Sequence, residues 1–566
     1  MKLTILFLVA QFFSCSQSYV KSYKDLESAF TDWYFKFHPV QSTFYGSDEY
    51  NFFFKRLDND SREEYLADIQ RFHIEISQID ETKLPKTEYV NYSVLTQFLA
   101  RQIYLLKFER KYEWDVSLYP KMVYDGIVSL VDLDYLNMND RTHALERRLE
   151  VSTSVLDIAY QNLKFYSDYH QKETFKIIDA LNKLLEELPT KIMSDNQTLD
   201  RIDIHIRNLK RELKSYKDWI AGDYSHFEKF EVKKTPSELK SFFTHIIGGE
   251  YVISKVSQLA ERRINRIYNQ LFNISLPFYL QKNDEPIWVD RDDSLSVIHW
   301  VMDDISSNKI NSEEYISSIY GASKRVQDGL EQNREILITP IPNIQIRFDD
   351  EYSISSTFAR VGRFQLNNDN RNLEYLVKPL TVDSKTQSKL NHYELDLMVM
   401  KDLYPGSLQL QESMREKSEL IRQIIQNNVT NYGWQHYITS YMIDSGYGGG
   451  ENYAYELTSL YESLKIAGLS WMEMQIFYHE LEVSQVINEL VEKINISKME
   501  AKSFTENINR NSFHYTKQFI GAIEMERLLA DYKRNNQNRL DMREFHSKIL
   551  NEGSVSISQL RKIILN

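Results

Sequence analysis

The sequence predicts a mainly α-helical protein with a small inserted β-hairpin or sheet. Three observations point there. Its 566 residues include only 17 Gly and 11 Pro, where average usage would supply about 40 and 28. A sandwich, barrel or propeller needs Gly/Pro-rich turns between many short strands, so those architectures are excluded. Apolar residues also recur at helical spacing, as at Ile202, Ile206, Leu209 and Leu213 on one face. Only between Pro340 and Pro379 does the texture change, where Ile344-Gln-Ile-Arg-Phe348 alternates with period two. A hydrophobic content of 42% excludes global disorder. The net charge of −13 argues against a nucleic-acid partner, which requires a basic face.

Taken in order, residues 1–15 read as a lipoprotein-type signal peptide. Lys2 supplies the positive start, and Leu3–Phe13 is apolar except for Thr4 and Gln11. That run is far shorter than the ~20 residues that span a bilayer. Phe12-Phe13-Ser14-Cys15 resembles a bacterial lipobox, in which the cysteine becomes the lipidated first residue. Ser16 in place of Asp leaves no inner-membrane retention signal by resemblance to enterobacterial sorting, so an outer-membrane lipid anchor in the cell envelope is expected. Cys15 is also the single cysteine, which excludes a disulfide framework and a multi-Cys zinc site.

Residues 21–339 read as an N-terminal helical region. Val256, Leu259, Ile267 and Leu271 form a further core stripe with Arg263 on its edge. Residues 340–387 hold the small β insertion near 343–367, with strand-suited sequence at Ser356–Leu366 and a turn at Asn367–Asn370. Helices resume over 388–566, broken at Tyr404-Pro-Gly406 and at Ser445–Gly450. Gly448-Gly-Gly450 follows a helix and reads as a flexible loop. With no flexible linker between them, 388–566 and 21–339 are expected to form one compact unit.

No familiar catalytic motif is present. The thirteen histidines are scattered, and His479-Glu480 lacks the second His of a helical zinc pair. There is no Gly-x-Ser-x-Gly elbow, phosphate loop or dinucleotide fingerprint. Asp349-Asp350-Glu351 and Asp290, Asp292 and Asp293 read as solvated turns.

The C-terminal third carries three motifs in order: Tyr404-Pro-Gly406, Gly433-Trp434-x-x-Tyr437, and Glu544-Phe-His-x-x-Ile-Leu-x-x-Gly-Ser-Val555. Leu145-Glu-Arg-Arg-Leu149, then Leu156 and Asn162-Leu163, precede them. Together they resemble the bacterial family catalogued as domain of unknown function 885, over nearly the whole mature chain. The resemblance implies a metallopeptidase-like fold, with two His and a downstream Glu as zinc ligands and a Glu beside the first His as base. At the matching positions stand Lys401 (first His), Asp402 (base), Ser407 and Leu408 (the His-His pair) and Tyr432 (the downstream Glu). His514, Gln518 and Phe519 replace the family's Gln, Tyr and Lys ahead of Gly521.

What survives shapes backbone or core: Pro405, Gly406, Gly433, Trp434, Tyr437, Gly521, Phe545, Leu550 and Gly553. The carry-over therefore implies no metal, no cofactor and no catalytic residue beyond the weak candidate Asp402. It implies instead a binding cleft formed by Lys401, Tyr404, Ser407, Tyr432, Trp434 and Tyr437, for a peptide, glycan or protein. The alternative is a divergent hydrolase with ligands drawn from His392, Glu394, His436 and His479, or a metal-free mechanism at Asp402. A purely structural envelope protein is a third reading.

Overall fold

The computed structural model describes residues 22–131, 137–192, 196–222, 228–229, 234–248, 251–283, 291–307, 309–336, 344–355, 357–362, 373–380, 390–536 and 539–565. The signal segment with Cys15, Asp290, and the turn at Asn367–Asn370 lie outside the described residues, as do Ser356 and residues 363–366 of the strand-suited run. The side chains of Asp292 and Asp293 lie outside them too. Packing divides the chain into two units. One runs to Val232 and takes in Asp349–Phe358 and Gly362–Glu374; the other holds Lys233–Phe348, Ala359–Val361 and Tyr375–Asn566. These boundaries differ from those at 339/340 and 387/388 read from composition.

The first unit is built from α1 (residues 22–37), α2 (Pro39–Phe44), α3 (Asn59–Ser77), α4 (Lys86–Tyr104), α5 (Leu118–Val131), α6 (Met138–Asn162), α7 (Asp168–Lys191) and α8 (Asn196–Ala221). Two-residue strands β1 (Phe165–Tyr166) and β2 (Glu228–Lys229) pair in parallel. Polar caps start the helices: Asp58 accepts from Ser61 N at 3.1 Å ahead of α3, and Asn137 from Asp140 N at 3.0 Å ahead of α6. The stripe Ile202, Ile206, Leu209 and Leu213 faces inward on α8. It meets Leu181, Leu184 and Leu188 of α7 and Leu145, Leu149 and Leu156 of α6 in one core. Each such side chain adds about 1.5–3 kcal/mol by leaving water. Arg148 of the Leu145–Leu149 motif is fully buried. It donates to Gly126 O (2.6 Å), Ser129 Oγ (2.7 Å) and Thr43 Oγ1 (2.8 Å), tying α2, α5 and α6 together.

The second unit begins with α9 (Pro236–Ile247), α10 (Ile253–Lys282), α11 (Arg291–Ile305) and α12 (Tyr315–Gln332). Strands β3 (Ile344–Phe348), β4 (Ala359–Val361) and β5 (Leu373–Val377) form a sheet in the order β3-β5-β4, with β4 antiparallel to β5. The mainly α fold with a small inserted sheet is therefore as the sequence predicted. Then follow α13 (His392–Asp402), α14 (Ser407–Lys417), α15 (Leu420–Ile424), α16 (Asn428–Asp444), α17 (Asn452–Phe477), α18 (Val483–Ile494), α19 (Lys498–Arg510), α20 (His514–Asn535), α21 (Met542–Glu552) and α22 (Ile557–Leu565).

Capping boxes fix α9 (Thr235/Glu238), α13 (Asn391/Glu394) and α19 (Ser497/Glu500). The stripe on α10 packs against α17, with Val256, Ile267 and Leu271 buried and Arg263 on the edge, reaching Glu526 of α20. The glycine-rich break between α16 and α17 includes the short 3-10 turn Gly449–Glu451. Tyr447 donates to Asp396 at 2.7 Å, and the same carboxylate takes Tyr455 Oη (2.8 Å) and both arms of the Arg325 fork. Among the described residues no helix is long and apolar enough to cross a membrane.

Candidate functional site

The recurring motifs meet where α16 crosses α20. A Cβ on Gly433 would lie 2.5 Å from Gly521 O, and one on Gly521 would lie 2.2 Å from Val429 O. Both positions must be glycine for the two backbones to touch. The fully buried Trp434 indole then donates to Pro405 O (3.0 Å) and Gly406 O (3.2 Å), holding the turn between α13 and α14. Gly406 is as constrained, since a Cβ there would lie 2.1 Å from Lys401 O. One turn on, Tyr437 Oη lies 2.6 Å from His546 Nε2, and His546 Nδ1 lies 2.8 Å from Glu335 O. A carbonyl only accepts, so Nδ1 carries the proton and Nε2 accepts from the tyrosine. Thr430 Oγ1 donates to Val555 O (2.6 Å) and Asn427 N to Ser554 O (3.0 Å), which anchors Gly-Ser-Val.

Beside this frame stand the residues at the positions for which the resemblance implied reactive groups. Lys401 Nζ lies 3.6 Å from Glu462, and Lys465 Nζ lies 2.9 Å from the same carboxylate. Burial works to raise Glu462, but Lys465, Lys401 and His436 together outweigh it and hold the carboxyl far below its usual range. His436 is pushed down to about 3 by burial, with the Lys401 and Arg263 cations adding to the shift. Half-buried Asp402 accepts from Tyr375 Oη at 2.7 Å. Burial raises its carboxyl, against the Tyr375 bond and Lys401.

Ser407 accepts from Gln435, and Leu408 is fully buried. Tyr432 stands edge-on to His514, their ring centres 5.6 Å apart, and His514 Nε2 meets Gln518 at 3.0 Å. Glu473 is fully enclosed at the start of α20. There it accepts from Thr516 N and Oγ1 (2.7 Å each) and Tyr515 N (3.3 Å), and burial pushes its carboxyl up to about 7.

Six side chains were expected to share one cleft. The structure puts Tyr404 (2% exposed) and Trp434 (0%) in the core. Lys401, Ser407 and Tyr432 remain half-buried and Tyr437 faces a cavity. His392 lies 3.6 Å from Glu451, Glu394 caps α13, and the His479 ring stacks edge-on with Tyr478. Among the described residues no three His, Cys, Asp or Glu side chains group as metal ligands.

The cavity, about 540 Å³, is bounded by α10, α16, α17 and α20. His436 and Tyr437 form one wall, and Arg263, Asp444, Glu456 and Glu526 bring both charge signs to it. Glu526 engages Arg263 through two bonds of 3.0 and 2.6 Å. Burial raises the carboxyls of Asp444 and Glu456, with Glu526 adding to the first and Asp444 to the second. Of the charged residues lining the cavity, sequence reading singles out only Arg263. A cation on the rim of an apolar stripe was the one signal available.

The family described as "Bacterial protein of unknown function (DUF885)" matches residues 39–564. No curated protein matches the sequence. A solved structure described as "a putative lipoprotein of unknown function from Shewanella oneidensis" superposes with a TM-score of 0.80 at 16% identity, covering 96% of this chain and 100% of that one. One described as "the putative lipoprotein from Colwellia psychrerythraea" gives 0.77 at 14% identity, covering 97% and 98%. At such identities the likeness shows the fold.

Proposed function

We infer, from the premise that this chain belongs to the bacterial DUF885 family of unknown function, that it is a lipid-anchored cell-envelope protein that binds a ligand without cleaving it. The anchor is Cys15, and the outer membrane is its place. The Cys15 lipobox and the lipoprotein descriptions of two structural neighbours support this location. One observation carries the binding role: the ion chain Lys401–Glu462–Lys465 occupies the position where the resemblance puts a metal ligand.

These residues do not suit Zn²⁺. An ammonium held by a carboxylate repels a cation, and the Leu408 hydrocarbon donates nothing. Asp402, engaged by Tyr375, would lack a Lewis acid to activate its water. The ligand site is the cavity beside His436 and Tyr437. Its mixed charges and aromatic wall suit a peptide, with Arg266 reading carboxylates and Asp444 reading amines, since Glu526 already holds the Arg263 fork.

Equilibrium dialysis of the purified protein against mixed tripeptides, read by mass spectrometry, tests this. Retained, uncleaved peptide that is lost in Arg266→Ala is expected. Zinc retained on dialysis at one equivalent and lost in His436→Ala would overturn the reading. So would peptide cleavage abolished in Asp402→Asn.

A further inference from the structure

The cavity bounded by α10, α16, α17 and α20 carries opposite charge at its two ends. Asp444 is the last residue of α16, and Glu456 lies in the second turn of α17. Asn452 Nδ2 donates to Ile443 O at 2.8 Å, which holds the end of α16 against the start of α17. Both carboxylates line the cavity, and Asp444 acts electrostatically on Glu456. Among the described residues neither forms an ion pair or a hydrogen bond, and Lys533 on the facing wall offsets only part of their charge. The negative end of the α16 dipole adds to it.

The opposite end is cationic. Helix α10 runs antiparallel to α17: Ser257 Oγ accepts from Gln475 at 2.8 Å, and Glu261 accepts from Trp471 Nε1 at 3.1 Å. Four residues forward on one helix match four residues back on the other. Continuing that register sets Arg266 level with Ile466, and both line the cavity. Ile466 is ten residues from Glu456, about 15 Å along α17. Among the described residues Arg266 forms no ion pair, whereas Glu526 holds Arg263. Between the two ends stands His436, about 12 Å before Asp444 along α16. Its imidazole is enclosed, pushed down to about 3 by burial, and makes no hydrogen bond among the described residues.

Resting on the peptide reading of this cavity, we propose that it selects peptides of three or four residues by both free ends, the ammonium terminus held by Asp444 and Glu456 and the carboxylate terminus by Arg266. An extended chain covers about 3.3–3.6 Å per residue, so three or four residues reach about 10–14 Å, and the side chains at each end close the remainder. A dipeptide reaches about 7 Å and engages one end only. The guanidinium fork matches a terminal carboxylate through two parallel bonds. At the other end a single ammonium supplies the charge that Lys533 leaves unbalanced. The neutral His436 ring offers one donor and one acceptor, which suits a peptide group passing midway. The volume of about 540 Å³ is that of a small-ligand site.

Equilibrium dialysis of the purified full chain against four peptide mixtures, read by mass spectrometry, tests the proposal: tetrapeptides with free ends, the same tetrapeptides N-acetylated, the same C-amidated, and dipeptides. Free tetrapeptides should be retained, and each cap should weaken binding roughly ten- to a hundredfold in the wild-type protein. Dipeptides should bind more weakly than free tetrapeptides. In Asp444→Asn/Glu456→Gln the acetylated and free mixtures should bind alike, and in Arg266→Gln the amidated and free mixtures should. Capped tetrapeptides retained as tightly as free ones by the wild-type protein overturn this inference and leave the peptide reading standing. Dipeptides bound as tightly as tetrapeptides overturn the length selection. Discrimination that persists in the matching variant overturns the assignment of that end. No peptide retained in any arm overturns the peptide reading itself, and this inference with it.

Discussion

The α16–α20 crossing and the charged cluster beside it share helices but obey different rules. At the crossing every motif residue has one geometric reason to be itself. Gly433 and Gly521 let two backbones touch, Trp434 holds the Pro405-Gly406 turn, and His546 bridges Tyr437 to Glu335. At Lys401, Glu462, Lys465 and His436 the constraint is charge balance, which several residue sets could satisfy. Volume and backbone approach thus fix residue identity at the crossing, whereas the cluster requires only that its charges balance.

The largest expected effect tests the first half of that contrast. Gly521→Ala places a methyl 2.2 Å from Val429 O, which only a backbone shift can relieve. A loss of about 3 kcal/mol or more, or failure to fold, is expected in urea unfolding. A variant within 0.5 kcal/mol of wild type would break the argument that the crossing fixes the motif.

Next comes His546→Ala, which removes two buried hydrogen bonds and leaves Tyr437 Oη without its acceptor. Destabilisation of about 2–4 kcal/mol by the same measurement is expected.

The pH dependence of stability sharpens the comparison, because the two regions oppose each other. Folding raises Glu473 from an ordinary 4.5 to about 7, so the native state keeps a proton that the unfolded chain releases. Its contribution is full below about pH 4.5 and is lost as pH rises to about 7. Folding lowers His436 from 6.5 to about 3, so the unfolded chain takes up a proton first. Stability from this group is full above about pH 6.5 and declines as pH falls toward 3. Unfolding curves collected across this range should flatten on the alkaline side in Glu473→Gln and on the acid side in His436→Phe.

The smallest effect belongs to Lys401→Met. The Lys401–Glu462 pair is about a third exposed and Lys465 remains, so a cost of only ~1 kcal/mol or less is expected. Loss of the cation should shift the His436 imidazole upward by NMR titration, because Lys401 contributes to its depression. An unmoved His436 would separate it from the cluster.

Much of the fold was written in local pattern. The stripe on α8 and the period-two run at Ile344–Phe348 required only nearest-neighbour geometry and formed as read, as did the α10 stripe apart from Leu259, which is half-buried. The site was less legible. Trp434 and Tyr404 looked like cleft aromatics, because residue type does not say which side of a helix faces a neighbour. Asp444, Glu456 and Glu526 escaped notice because they lie far apart along the chain and gain meaning only when α16, α17 and α20 meet.

The sequence by itself determined the helical class and, through the glycines and Trp434, the family frame, since periodicity and steric necessity are properties of single positions. Only the tertiary structure decided which charges are paired, which are desolvated and which line a cavity. Burial and long-range approach set the strength of an electrostatic interaction, and neither exists before the chain folds.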